Sequence, residues 1–286
     1  MNRIFIILLL LCSFDGWSNP FPITITKGLL ISNAVIDGQE VVVIFDTGAP
    51  GLVLNSNYYA GDEEQTIPCS GVNGAFECKT HLIREWNWLG TKHRKTTALV
   101  SDLTFLENAL HKKIYALIGL QAVENYFITI DYDHASISLD EKLDFDKQHA
   151  IRFQYADHLP VINCTVNQEK KMLGLDTGAG SNYLFAPIAN LSENQLTSSV
   201  SYFVTGTENK QKTMQSIQMD VQLETENFSS PFLLSTFPTS SNILSIDGLL
   251  GVPFLANYVV TIHPTKQLII LQQREFDRVM PLAVNP

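Results

Sequence analysis

Two apolar runs in this chain end in the same four residues. "EVVVIFDTGA" occupies 40–49 and "KKMLGLDTGA" occupies 170–179, placing Asp46 and Asp176 at the ends of stretches that read as buried strands. A carboxylate in that position is costly unless something uses its charge. One Asp-Thr-Gly constrains little, since it turns up by chance in roughly a few per cent of chains this long. Here the surroundings repeat as well. "ALIG" ends at Gly119, 73 residues after Asp46 (119 − 46), and "GLLG" ends at Gly251, 75 after Asp176 (251 − 176). Six residues beyond each glycine begin "NYFITID" (125–131) and "NYVVTIH" (257–263). A second apolar run follows each, "ASISL" to Leu139 and "QLIIL" to Leu271, both eight residues on from Asp131 and His263. Upstream, "NAVIDGQ" and "NCTVNQE" set turn residues at matched distances before each aspartate. Repetition on this scale calls for two lobes of similar build from one duplicated unit.

The β-branched and aromatic content of "EVVVIF", "YFITID", "ASISL", "YVVTI" and "QLIIL", with period-two stretches, predicts strands. Helices are expected to be short: 120–125, 252–257, and 187–196 with Pro187 in its first turn. The fold class is therefore all-β, with a few short helices and two similar barrel-like lobes that have the site between them. The charged, then apolar, segment 140–158 holds the lobe boundary near residue 150, giving lobes 19–150 and 151–286.

The N-terminus has the pattern of a secretory signal peptide over residues 1–18: Arg3, an apolar run from Ile4 to Leu11, then Gly16 and Ser18 at −3 and −1 of a cut after Ser18. The alternative is lipid attachment at Cys12, although Leu11 is bulkier than such sites prefer. An exported protein, periplasmic or extracellular, is expected. No other segment has the roughly 20 apolar residues of a membrane span.

Export permits disulfides. Cys69 and Cys78 flank the turn-rich "SGVNGAFE", where they would staple a hairpin across its arms; the alternative is two neighbouring thiols. Cys164 reads as a small buried strand residue. The net charge of −10, with "KHRK" (92–95) the only dense basic run, argues against a nucleic-acid partner. The seven histidines are scattered without HExxH, so neither a metal nor another cofactor is expected. GxSxG, GxGxxG and GxxxxGK[ST] are all missing, which removes the serine-hydrolase elbow and the nucleotide-binding loops. Asn163, Asn190 and Asn227 head N-x-[ST] triplets, which matter only in a glycosylating pathway.

Two lobes related by an approximate two-fold bring equivalent loops face to face, each carrying one aspartate. Two carboxyls about 3 Å apart cannot both ionise cheaply and share a proton over a wide pH range. The ionised member can draw a proton from water while the protonated member donates to a carbonyl oxygen. Gly48 and Gly178 allow amide N–H groups close to the carboxylates. Thr47 and Thr177 put hydroxyls beside the axis, where they can bond across it. Gly119 and Gly251 allow close backbone approach beneath each loop.

In these paired "DTGA" motifs with "ALIG" and "GLLG" downstream, over residues 28 to 272, the chain resembles the aspartic peptidases. Its short lobes look more like the retroviral-type (retropepsin-like) unit, duplicated in one chain, than like pepsin. The resemblance implies a bilobed acid-protease fold with Asp46 and Asp176 as the catalytic pair, supported by Thr47, Gly48, Thr177 and Gly178. It further implies a peptide or unfolded-protein substrate held under hairpin flaps. The first flap would be 69–78, with Val72, Asn73 and Gly74 at its tip; the second would be 203–211, around Gly206. One chain completes the site, so a monomer is expected.

Three departures from the pepsin pattern carry consequences. Ala49 and Ala179 stand where pepsin-like enzymes have Ser or Thr; a lost hydrogen bond to the anion raises the lower pKa of the pair and predicts an optimum less acidic than pepsin's. The first flap offers Phe76 but no tyrosine. The first expected strand lies so close behind the signal cut that no inhibitory pro-segment is expected. The rival reading is a non-catalytic peptide-binding module that keeps the groove; retention of both aspartates speaks for the enzyme.

Overall fold

The computed structural model describes residues 20–71, 74–145, 150–185, 196–204, 210–224, 227–234 and 246–273. Strands dominate it. The first half runs through β1 (Phe21–Pro22), β2 (Thr24–Thr26), β3 (Leu29–Ile36), β4 (Gln39–Phe45), β5 (Leu52–Asn55) and β6 (Asp62–Gly71). It continues with β7 (Gly74–Trp88), β8 (Thr91–Ser101), α1 (Thr104–Leu110), β9 (Ala116–Ile118), a 3-10 turn (Leu120–Val123), β10 (Phe127–Asp131) and β11 (Ser136–Asp140). The second half supplies β12 (Ala150–Arg152), β13 (Gln154–Ala156), β14 (Leu159–Val166), β15 (Glu169–Leu175), β16 (Asn182–Leu184) and β17 (Leu196–Val204). After these come β18 (Lys210–Gln222), β19 (Asn227–Leu234), β20 (Gly248–Leu250), α2 (Val252–Leu255), β21 (Tyr258–His263) and β22 (Leu268–Gln273).

The duplication seen in sequence is complete in topology. The first lobe's eight-stranded sheet has the order β2-β3-β4-β9-β5-β8-β7-β6, closed by a β3–β7 pairing; the second has β13-β14-β15-β20-β16-β19-β18-β17, closed by β14–β18. Adding eleven to every label of the first (13 − 2) reproduces the second. A third, six-stranded sheet, β1-β11-β10-β21-β22-β12, draws half its strands from each lobe and ties them together. At its centre Thr129 lies opposite Thr261, their hydroxyls 2.9 Å apart, beside the pseudo-two-fold axis.

Several boundaries differ from those read in sequence. Among the described residues the first strand begins at Phe21, earlier than expected, because a two-residue edge strand needs only one neighbour and leaves no periodic signal. Of the three expected helices, 120–125 is a 3-10 turn and 252–257 one short α-helix, while 187–195 lies outside the described residues and Leu196 already belongs to β17. Helix α1 was not anticipated; it buries Leu106 and Leu110 behind a turn in which the Asp102 carboxylate accepts the Thr104 N–H. The basic run is a solvent-facing arm of the β7–β8 hairpin, where Glu85 pairs with Lys92 and Arg94.

Burial explains the strand that carries the first aspartate. In β4, Val43, Ile44 and Phe45 are fully enclosed, and Phe45 stacks on Trp88 with ring centres 5.3 Å apart. Each such side chain contributes about 1.5–3 kcal/mol when buried, enough together to hold the end of the strand, and its carboxyl, in place.

Candidate active site

Both Asp-Thr-Gly loops leave a central strand and turn at once. The Asp46 N–H donates to the Ile118 carbonyl at 2.9 Å, and the Asp176 N–H donates to Leu250 at 3.0 Å. The "ALIG" and "GLLG" strands therefore pair directly with the strand ends that bear the aspartates, β4 with β9 and β15 with β20, both parallel. The glycines closing those segments are required by space. A Cβ at 119 would stand 2.0 Å from the Ala49 carbonyl oxygen, and one at 251 would stand 2.4 Å from the carbonyl oxygens of Ala179 and Ser181. Those distances lie far inside contact with backbone that cannot step aside.

The four supporting residues take matched places. Thr47 and Thr177 are fully buried and bonded reciprocally across the lobes. The Thr47 N–H donates to Thr177 Oγ1 and the Thr177 N–H to Thr47 Oγ1, each at 3.0 Å. The hydroxyls in turn donate to main-chain carbonyls of the opposite lobe, Thr47 to Leu175 at 2.7 Å and Thr177 to Phe45 at 3.3 Å. Above this ring the Gly48 N–H reaches Asp46 Oδ1 and the Gly178 N–H reaches Asp176 Oδ1, both at 2.8 Å. Each glycine also faces the other aspartate: a Cβ at 48 would lie 2.8 Å from Asp176 Oδ1, and one at 178 would lie 2.7 Å from Asp46 Oδ1. Any side chain at either position would push the pair apart.

The two carboxyls are in hydrogen-bond contact with one another. Burial raises the pKa of both. For Asp46 this is partly offset by the Gly48 N–H, by the contact with Asp176 and by the positive charge of His158. For Asp176 the negative charge of Asp46 adds to burial and carries it well above the ordinary carboxylate range. One proton is therefore held between the two, and its loss or gain belongs to the pair. The side chains after the glycines, Ala49 and Ala179, are buried methyls that offer no hydroxyl to either carboxylate.

Other predicted site residues fall as follows. Strands β6 and β7 form an antiparallel hairpin with Gly71 opposite Gly74, so Gly74 begins the returning arm; Val72 and Asn73 lie outside the described residues. In the second lobe β17 and β18 form the equivalent hairpin, with Val204 opposite Lys210, and Gly206 lies outside the described residues. The expected Cys69–Cys78 bridge is corrected: both are free thiols. Register is the reason. Cys69 is opposite Phe76 and Cys78 opposite Ile67, so the two cysteines are diagonal neighbours on one face. Diagonal positions sit about 7–8 Å apart, beyond the usual Cα separation of a disulfide. The thiols still interact, and burial with that contact pushes Cys78 up to about 12.

Three positions not singled out in the sequence complete the surroundings. Asn182, fully buried, accepts the Gly251 N–H at 2.9 Å and so pins the loop beneath Asp176. Gln121 accepts the Gly51 N–H at 3.3 Å and donates to the His158 carbonyl at 2.8 Å, joining the first loop to a turn of the second lobe. Asn182 has a sequence signal, since it sits a few residues beyond the second Asp-Thr-Gly; Gln121 and His158 act through tertiary contacts and have none. Among the described residues, no group of three or more His, Cys, Asp or Glu side chains is placed to hold a metal ion, and no helix is long and apolar enough to cross a membrane. No family model and no curated protein matches the chain.

Proposed function

We propose that this chain is an aspartic endopeptidase, exported and acting as a monomer, that hydrolyses peptide bonds in peptides or unfolded segments. The observation that carries the reading is the pair of hydrogen-bonded carboxyls, Asp46 and Asp176, held at a pseudo-two-fold axis by matched glycine N–H groups. In the proposed reaction water binds between them. The ionised carboxylate takes a proton from the water, its oxygen attacks the peptide carbonyl carbon, and the protonated carboxyl donates to the carbonyl oxygen. Collapse of the tetrahedral diol returns that proton and passes one to the leaving nitrogen as the C–N bond breaks. No covalent enzyme intermediate forms. The β6–β7 and β17–β18 hairpins would close over an extended substrate.

The test is cleavage of a diverse peptide library between pH 3 and 7 by the wild type, Asp46→Asn and Asp176→Asn. Cleavage by the wild type, with a loss of at least about a thousandfold in both variants, is the expected result. Equal cleavage by all three would refute the dyad, and no cleavage by any would favour a peptide-binding module. A wild-type optimum below about pH 3 would contradict the effect assigned to Ala49 and Ala179.

A further inference from the structure

The two Asp-Thr-Gly loops present the same groups to an extended peptide whichever way it runs between the lobes, so whatever fixes its direction has to lie further out. The offset from Asp46 to Asp176 is 130 residues (176 − 46), and it also maps the turn Lys27–Gly28, between β2 and β3, onto Asp157–His158, between β13 and β14. Each turn leans on the loop of the opposite lobe. In one, a Cβ at Gly28 would stand 3.1 Å from a Val252 methyl, and a Cβ at the exposed Gly180 would stand 4.0 Å from the Lys27 carbonyl oxygen. In the other, the His158 carbonyl accepts from the Gln121 side chain at 2.8 Å, and Gln121 in turn accepts the Gly51 N–H at 3.3 Å. The backbones match, with φ at +52° in Lys27 and +56° in Asp157. The charges do not. Lys27 is an exposed ammonium, whereas half-exposed Asp157 is a carboxylate with its Oδ2 3.0 Å from His158 Nδ1. A second carboxylate stands on that side: exposed Glu124, at the end of the 3-10 turn, follows Gln121 by three residues and so shares its face. Its counterpart in the second lobe, five residues past the glycine in each case (124 − 119 and 256 − 251), is the uncharged Ala256.

We propose that these turns are specificity determinants that fix the direction of the bound peptide: Lys27 receives an acidic side chain on one flank of the scissile bond, and Asp157 with Glu124 receives a basic one on the other. The favoured substrate is a peptide that is acidic on one side of the bond and basic on the other, in a single order. The turns stand on opposite sides of the pseudo-two-fold axis, so a peptide crossing the carboxyl pair passes one and then the other. Asp157 and Glu124 together outweigh the His158 imidazole even when it is protonated. Reach sets the positions. Gly180 lies four residues beyond Asp176 (180 − 176) and Gly51 five beyond Asp46 (51 − 46), so each turn stands within about 14–18 Å of the pair at full extension. A strand advances about 3.3 Å per residue, and the charges therefore meet side chains no more than about five residues from the scissile bond. Cleavage in this order rests on the peptidase reading, whereas binding in this order does not.

The experiment uses three libraries of short fluorescent peptides: one neutral throughout, one acidic on the N-terminal flank and basic on the C-terminal flank, and one with the flanks reversed. Cleavage by the wild type is compared with binding to Asp46→Asn, read by fluorescence anisotropy, at about pH 6, where the acidic side chains are ionised. One charged order should be cut faster and bound more tightly than the other by about three- to twentyfold, with the neutral library between them. Raising the salt from about 0.05 to 0.5 M should shrink the difference, since exposed charges are screened. The double variant Lys27→Asp, Asp157→Lys places in each turn a residue that its twin already holds at nearly the same φ, and it should prefer the opposite order. Glu124→Gln, which leaves both turns intact, should weaken the preference without reversing it. Equal handling of the two charged libraries by the wild type overturns the proposal, as does a preference that survives the exchange of Lys27 and Asp157. Ordered binding without cleavage by the wild type upholds the proposal and counts against the peptidase alone.

Discussion

Thr47→Val keeps the shape of a fully buried side chain and removes the hydroxyl, which is the cleanest way to ask what holds the two lobes in register. Two cross-lobe hydrogen bonds end at that oxygen, one accepted from the Thr177 N–H at 3.0 Å and one donated to the Leu175 carbonyl at 2.7 Å. The substitution strips a donor and an acceptor of their partners in fully buried surroundings. Each bond contributes about 1 kcal/mol net, and a buried group left unsatisfied costs about 1–3 kcal/mol. With two such groups, the expected loss is thus about 2–6 kcal/mol. Thr177→Val breaks the matching pair, but its hydroxyl reaches Phe45 at a longer 3.3 Å, so its cost should be smaller. Thr47→Ser keeps the oxygen and should recover most of the loss.

Urea unfolding followed by two probes makes the measurement. Trp86 and Trp88, both in the first lobe, are the only tryptophans after the expected signal peptide, so their fluorescence reports that lobe, while far-UV circular dichroism reports both. If the threonine ring couples the lobes, the wild-type transitions coincide and those of Thr47→Val move down and separate. A Thr47→Val protein within about 0.5 kcal/mol of wild type by both probes would refute the reasoning, because such a value is ordinary for a substitution that breaks nothing.

Two further outcomes follow from the shifted groups. A carboxyl whose pKa is raised on folding binds more protons folded than unfolded, so its contribution to stability is complete at low pH and is lost as pH climbs from the unfolded value through the folded one. Asp176→Asn, which cannot ionise, should therefore be more stable than wild type at pH 7, with the gap closing toward pH 4 in paired thermal melts. For the cysteines, burial pushes both Cys78 and Cys164 up to about 12, whereas Cys69 is partly exposed, so native protein treated with iodoacetamide at pH 8 should be alkylated at Cys69 first, as read by peptide mass spectrometry.

The parts of the site that could be read from sequence are those that repeat. Asp46 and Asp176, their threonines and glycines, and Gly119 and Gly251 each occur twice at matched spacing, and spacing along the chain is information a sequence carries directly. Helix α1 left a readable trace in Leu103, Leu106 and Leu110, three and four residues apart behind Asp102, but seven residues are too few for that pattern to outweigh the strands around it. The Cys69–Cys78 pairing failed for a different reason. Proximity across a hairpin follows from the turn, but whether two positions stand directly opposite depends on register, and Phe76 opposite Cys69 is visible only in three dimensions. Gln121 and His158 were invisible because the matching positions in the other half carry different residues, Pro253 and Gly28, so neither repeats.

That last pair bears on why the unit is duplicated within one chain at all. Two identical subunits about a two-fold axis must present identical neighbours to their two aspartates, and any preference for which carboxyl holds the proton has to come from the substrate. Once both copies lie in one chain, each position can change alone. The residues that must be symmetric for the carboxyls to meet have stayed so: Thr47 with Thr177, Gly48 with Gly178, Gly119 with Gly251. The residues one layer out differ, His158 against Gly28 and Gln121 against Pro253, and both differences lie on the contact between the Asp46 loop and the opposite lobe or on its counterpart. A base and an acid need different proton affinities to work in the same step. Symmetry also fails behind the second loop, where Asn182 accepts the Gly251 N–H while in the first lobe the Gly119 N–H donates to the Gly51 carbonyl, so the two aspartates stand on differently fastened loops.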